Sequence, residues 1–528
     1  MSNTSSPTVS RSAGVSSIPR HWLRPAALAI VIVAGLILAW TSSGISVSDA
    51  RQEVTIQPVG EITTGRIIGQ TITAGHNGLN EIEVMLATYA RRNTGQMIIR
   101  LLELPSGNEV AAATINLEDV QNNAFRRLQF SPIADSAGRQ YRVTLETFGS
   151  TADNAITAYY SPTDLYVGGQ ADDAGNPLPG DLAFGTSYLY TWANALRDIA
   201  STTERFGSQI ARSLGLFLIP GLFLLVIVGV RRQANFFELL GVACALTLSL
   251  LPLSLLWSTT LGLTLASSST KWLLLSLAAG IICFVLVRRV APKLRPISAI
   301  VGPVESRSVR VATPRPAPDR SSALVGWVAL ALFAMALWSR LFIAGDTHVG
   351  MWGDSYHHTM ISQLIAERGR IPDSYLPYSQ LTSFTYHYGF HSLVAFFHWA
   401  TGLEVVWSVV IVGQILSALV VAGAYFLAVT LTRNRWAGLI AGLVAGLLSP
   451  MPAYYVNWGR YTQLAGQTIL PFAIGLTLLA VEKARRRDIA LAAILVGGVM
   501  VSHFRVAAFY FAFAGVFLLY EAVRLRSH

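Results

Sequence analysis

Charge is what this sequence has least of. Only 13% of its 528 residues are Asp, Glu, Lys or Arg, against 52% hydrophobic. A soluble globular chain carries about 25% charged residues, so a soluble enzyme is not the expected class. Cysteine is nearly absent: Cys244 and Cys283 both lie inside apolar runs, which excludes a disulfide framework or a thiolate metal site. Also missing are a phosphate-binding P-loop, a G-x-G-x-x-G after a strand, an H-E-x-x-H helix and a G-x-S-x-G elbow. Lysine is missing from 43–207, and no Asp or Glu occurs between Glu404 and Glu482.

Apolar runs are what is there. A spanning helix needs about 20 mostly apolar residues. Ten runs qualify: 25–42, 212–230, 236–257, 271–287, 323–344, 405–431, 436–456, 467–481, 489–503 and 506–523. The first follows a Ser-rich tail with Arg11, Arg20 and Arg24, so a signal peptide is its rival reading. Its length and the lack of an A-x-A site favour an uncleaved anchor.

The net charge of +10 is then a topology signal. Cytoplasmic loops concentrate Lys and Arg. Segments 1–24, 231–235, 288–322, 432–435, 482–488 and 524–528 hold 21 of the 39 basic residues and 4 of the 29 acidic ones. That pattern puts both termini in the cytosol, provided that the short apolar run 388–403 does not cross. This run, with His391 and His398, is expected along the outer surface as a half-inserted helix. Basic residues that flank spans imply lipid neighbours and no nucleic acid partner.

The expected fold class is a polytopic α-helical membrane protein of about ten spans, N-in and C-in, with an inserted extracytoplasmic antiparallel β-sandwich. Its parts are a cytosolic tail at 1–24, an anchor at 25–42, the sandwich at 43–207 and three spans within 208–287. A basic Pro/Ser-rich cytosolic linker follows at 288–322, then a membrane module at 323–528 with an outer loop at 345–404. The GxxxGxxxG at Gly438, Gly442 and Gly446 is expected to serve helix packing.

Segment 43–207 holds 18 Asp+Glu and 11 Arg. Stretches of it alternate with period two, as half-buried strands do. Tyr141, Val143 and Leu145 alternate with Arg142, Thr144 and Glu146; Ile82, Val84 and Leu86 repeat the pattern; MIIRLLEL turns at Ser106-Gly107-Asn108 into EVAAATINL. About eight strands are expected. From GQTITAGHNGLNEIEVMLATYARRNTG to SPIADSAGRQYRVTLE, the segment resembles β-sandwich modules appended to bacterial cell-envelope glycosyltransferases, which look like carbohydrate-binding modules. Tyr159, Tyr160, Tyr166, Tyr188, Tyr190 and Trp192 are then either sugar-stacking platforms or packing residues.

The loop 345–404 concentrates polar groups in a very apolar chain. Asp346, His348, Asp354, His357, His358, His387 and His391 fall within 46 residues, an arrangement that is costly beside a bilayer unless something uses or pairs them. Asp354 opens a stretch in which His357, Ile361, Leu364 and Ile365 recur at helical spacing. An amphipathic surface helix is expected, capped by Asp354 in its bland reading and ending at Gly369 after Arg368.

The order WGDSYHH, IAERGRIP, YHYGFHSL, ATGL and a long span ending in basic residues resembles the integral-membrane GT-C glycosyltransferases over 323–525. The resemblance implies transfer of a sugar from a polyprenyl-phosphate donor to a glycan, lipid or protein acceptor on the outer face. It aligns Asp354 with the family's first-loop acid, which would act as the base toward an acceptor hydroxyl. A leaving phosphate needs cations more than a general acid.

The next outer loop, NWGRYTQLAGQ, has no acid where the family often carries a second one. That weakens a divalent-metal version and leaves no certain cofactor. Arg460 becomes the expected phosphate fork, with membrane-edge snorkelling as its rival. Tyr461 and Gln463 are candidate sugar contacts. His503 and Arg505 form a second candidate phosphate turn, and His357, His358, His387 and His391 would line the groove. Six spans follow the linker, where the family module has at least seven, so either the fold is minimal or carboxy-terminal sequence is missing.

Two other function classes compete. One is a non-catalytic, membrane-anchored polysaccharide-binding envelope protein built on the sandwich. The other is a transporter, whose expected mid-membrane charges are not seen, since the conspicuous charges sit at span ends.

Overall fold

The computed structural model describes residues 44–229, 235–290, 320–345, 347 and 349–526. Tail 1–24, anchor 25–42, most of the basic linker, and Asp346 and His348 lie outside the described residues. The chain divides into two compact units, Met1–Arg197 and Asp198–His528.

The first unit is an antiparallel two-sheet β-sandwich. One sheet runs in the order Ile45–Gln52, Phe184–Tyr190, Leu79–Ala87, Thr157–Ser161 and Asp181–Leu182. Gln57–Pro58 also pairs with Thr157–Ser161, and Ala124–Ile133 with Leu79–Ala87. The other runs Asn176–Pro177, Ala171–Asp173, Ile67–Thr73, Gln140–Phe148, Gln96–Glu103 and Asn108–Asn116.

Period-two patterning decides which faces meet. Tyr141, Val143 and Leu145 are fully buried, as are Ile82, Val84 and Leu86 to within 1%. Each such side chain contributes roughly 1.5–3 kcal/mol on burial. The expected hairpin through Ser106-Gly107-Asn108 joins Gln96–Glu103 to Asn108–Asn116. Among the described residues, nine strands of five or more residues form, with four of two or three; the short ones are too brief to show a period.

The second unit is helical: α1 Trp192–Val228, α2 Phe236–Thr260, α3 Ser267–Val290, α4 Arg320–Ala344, α5 Trp352–Arg368, α6 Gly389–Thr401, α7 Val405–Thr432, α8 Arg435–Leu443, α9 Tyr454–Asn457, α10 Tyr461–Lys483, α11 Arg486–Ser502 and α12 Phe504–Arg526. Seven of these among the described residues, α1–α4, α7, α10 and α12, are long and apolar enough to cross a membrane. The protein is membrane-embedded.

Two expectations need correction. Residues 192–207, placed in the sandwich from sequence, form the first turns of α1, because no turn-forming break separates them from the apolar run. The run 436–456 is not one span: α8 passes into a π-helical turn, Val444–Leu448, and stops before Pro450 and Pro452. Proline disfavours helical conformation in the residue before it. The 14 residues of Arg435–Leu448 rise about 21 Å, short of a hydrocarbon core near 30 Å. The run 489–503 forms α11, a helix of 17 residues at the lower limit for spanning.

Helix α6, expected along the outer membrane surface, is short, 13 residues, and its burial among other helices is not read from the sequence. It is interior: Phe390, His391, Ser392, Leu393, Val394 and Phe397 are all fully buried. It packs against α2, α3, α5, α7, α10 and α11. A helix apolar on every side has no face to give to water.

Candidate active site

The site begins at the amino end of α5. Met351 precedes the helix without a side-chain cap, and Asp354 sits in the first turn rather than at the cap. There its carboxylate faces the unpaired N–H end of the helix dipole, which favours an anion. Trp352, beside it, has φ +64, a left-handed conformation uncommon outside glycine. The helix ends as expected at Gly369, φ +64 after Arg368. A Cβ at 369 would lie 2.1 Å from the Leu265 carbonyl oxygen.

The inward face of α5 is Ser355, His358, Ile361, Ser362, Leu364 and Ile365. The expected face was headed by His357. It is instead His358 that turns inward, and His357 is exposed. Two serines make this possible, since Ser355 and Ser362 donate back to the Met351 and His358 carbonyls and so can be buried cheaply.

The turn between α9 and α10 meets this helix end. Gly459 has φ +65, and a Cβ there would lie 3.0 Å from Ser355 Oγ and 3.1 Å from Asp354 Cβ. This close approach sets Arg460 beside Asp354, with nitrogen and carboxylate oxygen 3.6 Å apart and the side chains 42% and 49% exposed. Arg460 also lies 4.9 Å over the Trp458 ring. An ion pair this open contributes about 0–1 kcal/mol. Tyr461 is buried, stacked on Phe390 at 5.1 Å and edge-on to His358 at 5.9 Å.

Asp354 opens onto a cavity of about 350 Å³. One wall is α5, through Asp354, Tyr356, His357, His358, Met360 and Ile361; the other is the following segment, through Tyr375, Tyr378, Ser379, Leu381 and Tyr386. That segment is held by its own bonds, Tyr375 N to Leu381 O at 3.0 Å and Phe384 N to Asp373 O at 2.9 Å. Tyr378 donates to Glu367 at 2.6 Å. Burial raises Tyr375 and Tyr386 above their ordinary pKa, and the Glu367 bond raises Tyr378. All three therefore present phenolic O–H groups at neutral pH.

Behind the cavity lie four imidazoles. His358 Nδ1 is 2.9 Å from His391 Nε2, and the His387 ring is 4.7 Å from that of His503. Burial is the first cause lowering all four. His358 and His503 fall to about 4 and His387 to about 3, while His391 drops well below its usual value. Arg505 and then Arg460 add to the lowering at His503. All four are neutral at pH 7.

The structure thus brings together Asp354, His358, His387, His391, Arg460, Tyr461, His503 and Arg505. His357 reaches the cavity only from its exposed side. Gln463 is not in its walls and donates to the Tyr455 hydroxyl at 3.2 Å. Sequence reasoning missed Tyr356, Tyr375, Tyr378 and Tyr386, although the aromatic density of 375–390 was the available signal. Among the described residues, no group of three or more His, Cys, Asp or Glu is placed to hold a metal ion.

In the sandwich, Tyr160 and Tyr188 are buried, and Tyr159, Tyr166, Tyr190 and Trp192 are half-buried. Tyr166 donates to the Thr73 carbonyl at 2.9 Å and Tyr159 to Asn123 at 3.1 Å. None of the six is an open platform.

Residues 214–528 match a family described as one of unknown function, DUF6541. No curated protein matches the chain.

Proposed function

The chain belongs to the DUF6541 family, and we propose that it is a membrane glycosyltransferase moving a sugar from a polyprenyl-phosphate donor to an envelope acceptor. In this reading the amino-terminal tail is cytosolic, and the anchor and α1–α4 cross the membrane. The sandwich and the 345–404 loop then face outward. The order of features over 323–525, similar to GT-C enzymes, supplies the reaction class. One observation carries it to residues: Asp354 stands on the wall of a tyrosine-lined cavity with Arg460 3.6 Å away.

The chemistry follows from that pairing. An acceptor hydroxyl in the cavity gives its proton to the Asp354 carboxylate as its oxygen bonds to the anomeric carbon. The bond from that carbon to the phosphate oxygen breaks, and its electron pair stays on the phosphate. Arg460 binds the phosphate through its planar fork, and Arg505 adds a second positive charge. Tyr375, Tyr378 and Tyr386 offer hydroxyls to the sugar. Exposed Trp352, Tyr356, Trp458 and Phe504 suit a membrane–water interface, where aromatic side chains concentrate.

The test is transfer by membranes containing the full chain, supplied with a panel of polyprenyl-phosphate sugars and envelope fractions. Labelled sugar moving from one donor into acceptor supports the reading. No transfer from any donor, with the chain folded and abundant, removes it.

A further inference from the structure

Among the described residues, three imidazole nitrogens are buried without a hydrogen-bond partner: His387 Nε2, His391 Nδ1 and His503 Nδ1. Leaving such an atom unpaired is unfavourable, and buried polar atoms are otherwise nearly always paired. Three within four residues that touch one another is an expense with no packing purpose. Phenylalanine would fill the same space.

The four residues form a row, with ring contacts at its two ends and a backbone contact between them. His358 lines the cavity and meets His391 through the 2.9 Å contact. His391, fully buried, has the His387 backbone close to its ring, yet its Nδ1 lacks a partner of bonding geometry. His387 meets His503 edge to face at 4.7 Å. His503 lies at the α11–α12 turn, followed by exposed Phe504 and Arg505. The row therefore runs from the cavity wall to a turn on a different pair of helices.

We propose that His358, His391, His387 and His503 are a proton relay that drains the cavity. The proposal rests on the transferase reading for the source of the proton. The acceptor hydroxyl proton passes to Asp354 and then to His358, which releases its other ring proton toward His391. Because the onward nitrogens have no direct partner, bridging water carries the shift to His387 and His503, and it ends in solvent at the turn. Asp354 is a carboxylate again, each imidazole is neutral with its tautomer reversed, and no electrons leave the system. A neutral imidazole suits this step because one nitrogen accepts while the other donates.

The groups facing the row are consistent with transit rather than storage. Asp354 and His357 face His358 from α5, Arg460 from the α9–α10 turn, Tyr461 from α10 and Tyr386 from the intervening segment. Tyr386 also faces His387 and His391. Arg505 and Arg460 face His503. Arg460 near both ends and Arg505 near His503 disfavour a resident imidazolium, so a proton passes through neutral rings without being stored.

Two measurements on the full chain in detergent test the relay. The first is nitrogen NMR of ¹⁵N-histidine-labelled protein. Ring resonances of His358 and His391 averaged between two tautomers are expected, whereas fixed, resolved tautomers across pH 6–8 overturn the relay whatever reaction the chain performs. The second is sugar transfer by His391→Phe and His503→Phe. The expected result for both is kcat lowered at least about tenfold, with donor KM within about twofold and a changed pH profile. Should His391→Phe fail to fold, His503→Phe carries this arm; a folded His503→Phe with wild-type kcat and pH profile overturns the relay. Absence of transfer by the wild-type chain counts against the transferase reading and leaves the NMR test intact.

Discussion

Asp354 and Arg460, 106 positions apart in sequence, face each other at 3.6 Å across the junction of α5 and α10. The contact depends on Gly459, at φ +65, whose backbone passes so close to Ser355 and Asp354 that a Cβ would lie 3.0–3.1 Å from them. It joins a carboxylate on the cavity wall to a guanidinium. Because both groups are about half exposed, the pair is weak enough for an arriving anion to displace.

Arg460 therefore separates charge from shape. Arg460→Gln is expected to raise donor KM by about tenfold, the scale of a lost charge-assisted hydrogen bond, with little change in thermal stability. Arg460→Lys should recover part of that loss, since it keeps the charge without the fork. A donor titration on membranes checks it; an unchanged KM in Arg460→Gln removes the phosphate role.

Gly459→Ala places a Cβ 3.0 Å from Ser355 Oγ on a backbone with φ +65. Strain of about 1–3 kcal/mol is expected, together with a shift of Asp354 and a lower kcat. Gly107→Ala, also at positive φ with open space around it, should show the backbone cost without the loss of activity. Equal activity in the two variants would mean that the Gly459 contact does not position the site.

The four buried histidines set the acid response. Their folded pKa values lie at about 4, about 3, about 4 and well below normal, whereas an unfolded histidine titrates near 6.5. Between about pH 6.5 and 4 the unfolded chain binds protons that the native chain refuses. Stability should fall as pH drops through that window and level off above it. Thermal midpoints in detergent at pH 7.5 and 5 check the sign; a higher midpoint at pH 5 contradicts it.

Tyr378 and Tyr386 line the cavity opposite Asp354. Loss of either hydroxyl should weaken sugar binding by about 0.5–1.5 kcal/mol, up to roughly tenfold in KM. Tyr→Phe variants with kinetics over a range of donor concentrations measure it. Unaltered kinetics in both would place the sugar elsewhere.

Much of the fold was legible because its signals are local. Alternation at Tyr141–Leu145 and the helix stop at Gly369 each depend on a few neighbouring residues. The strands at Gln57–Pro58 and Asn176–Pro177 are too short for a period, and Asp181–Leu182 pairs only through tertiary contact. The site was legible one residue at a time. Asp354 and Arg460 stand out as charges in apolar surroundings, but their contact requires the fold. His357 and His358 look alike in sequence; His358 is the one that shares the buried face of α5 with Ser355 and Ser362. The burial of α6 was not legible because length distinguishes a spanning from a short helix and says nothing about burial.

The central claim is that Asp354 is the base for sugar transfer, and Asp354→Asn tests it with nearly unchanged shape. Wild-type and variant chains, matched for amount and thermal midpoint, are assayed with the polyprenyl-phosphate sugar that wild-type membranes use. The account predicts transfer lowered by about 10²–10⁴-fold with the midpoint nearly unchanged. Wild-type transfer by a folded Asp354→Asn chain would contradict it.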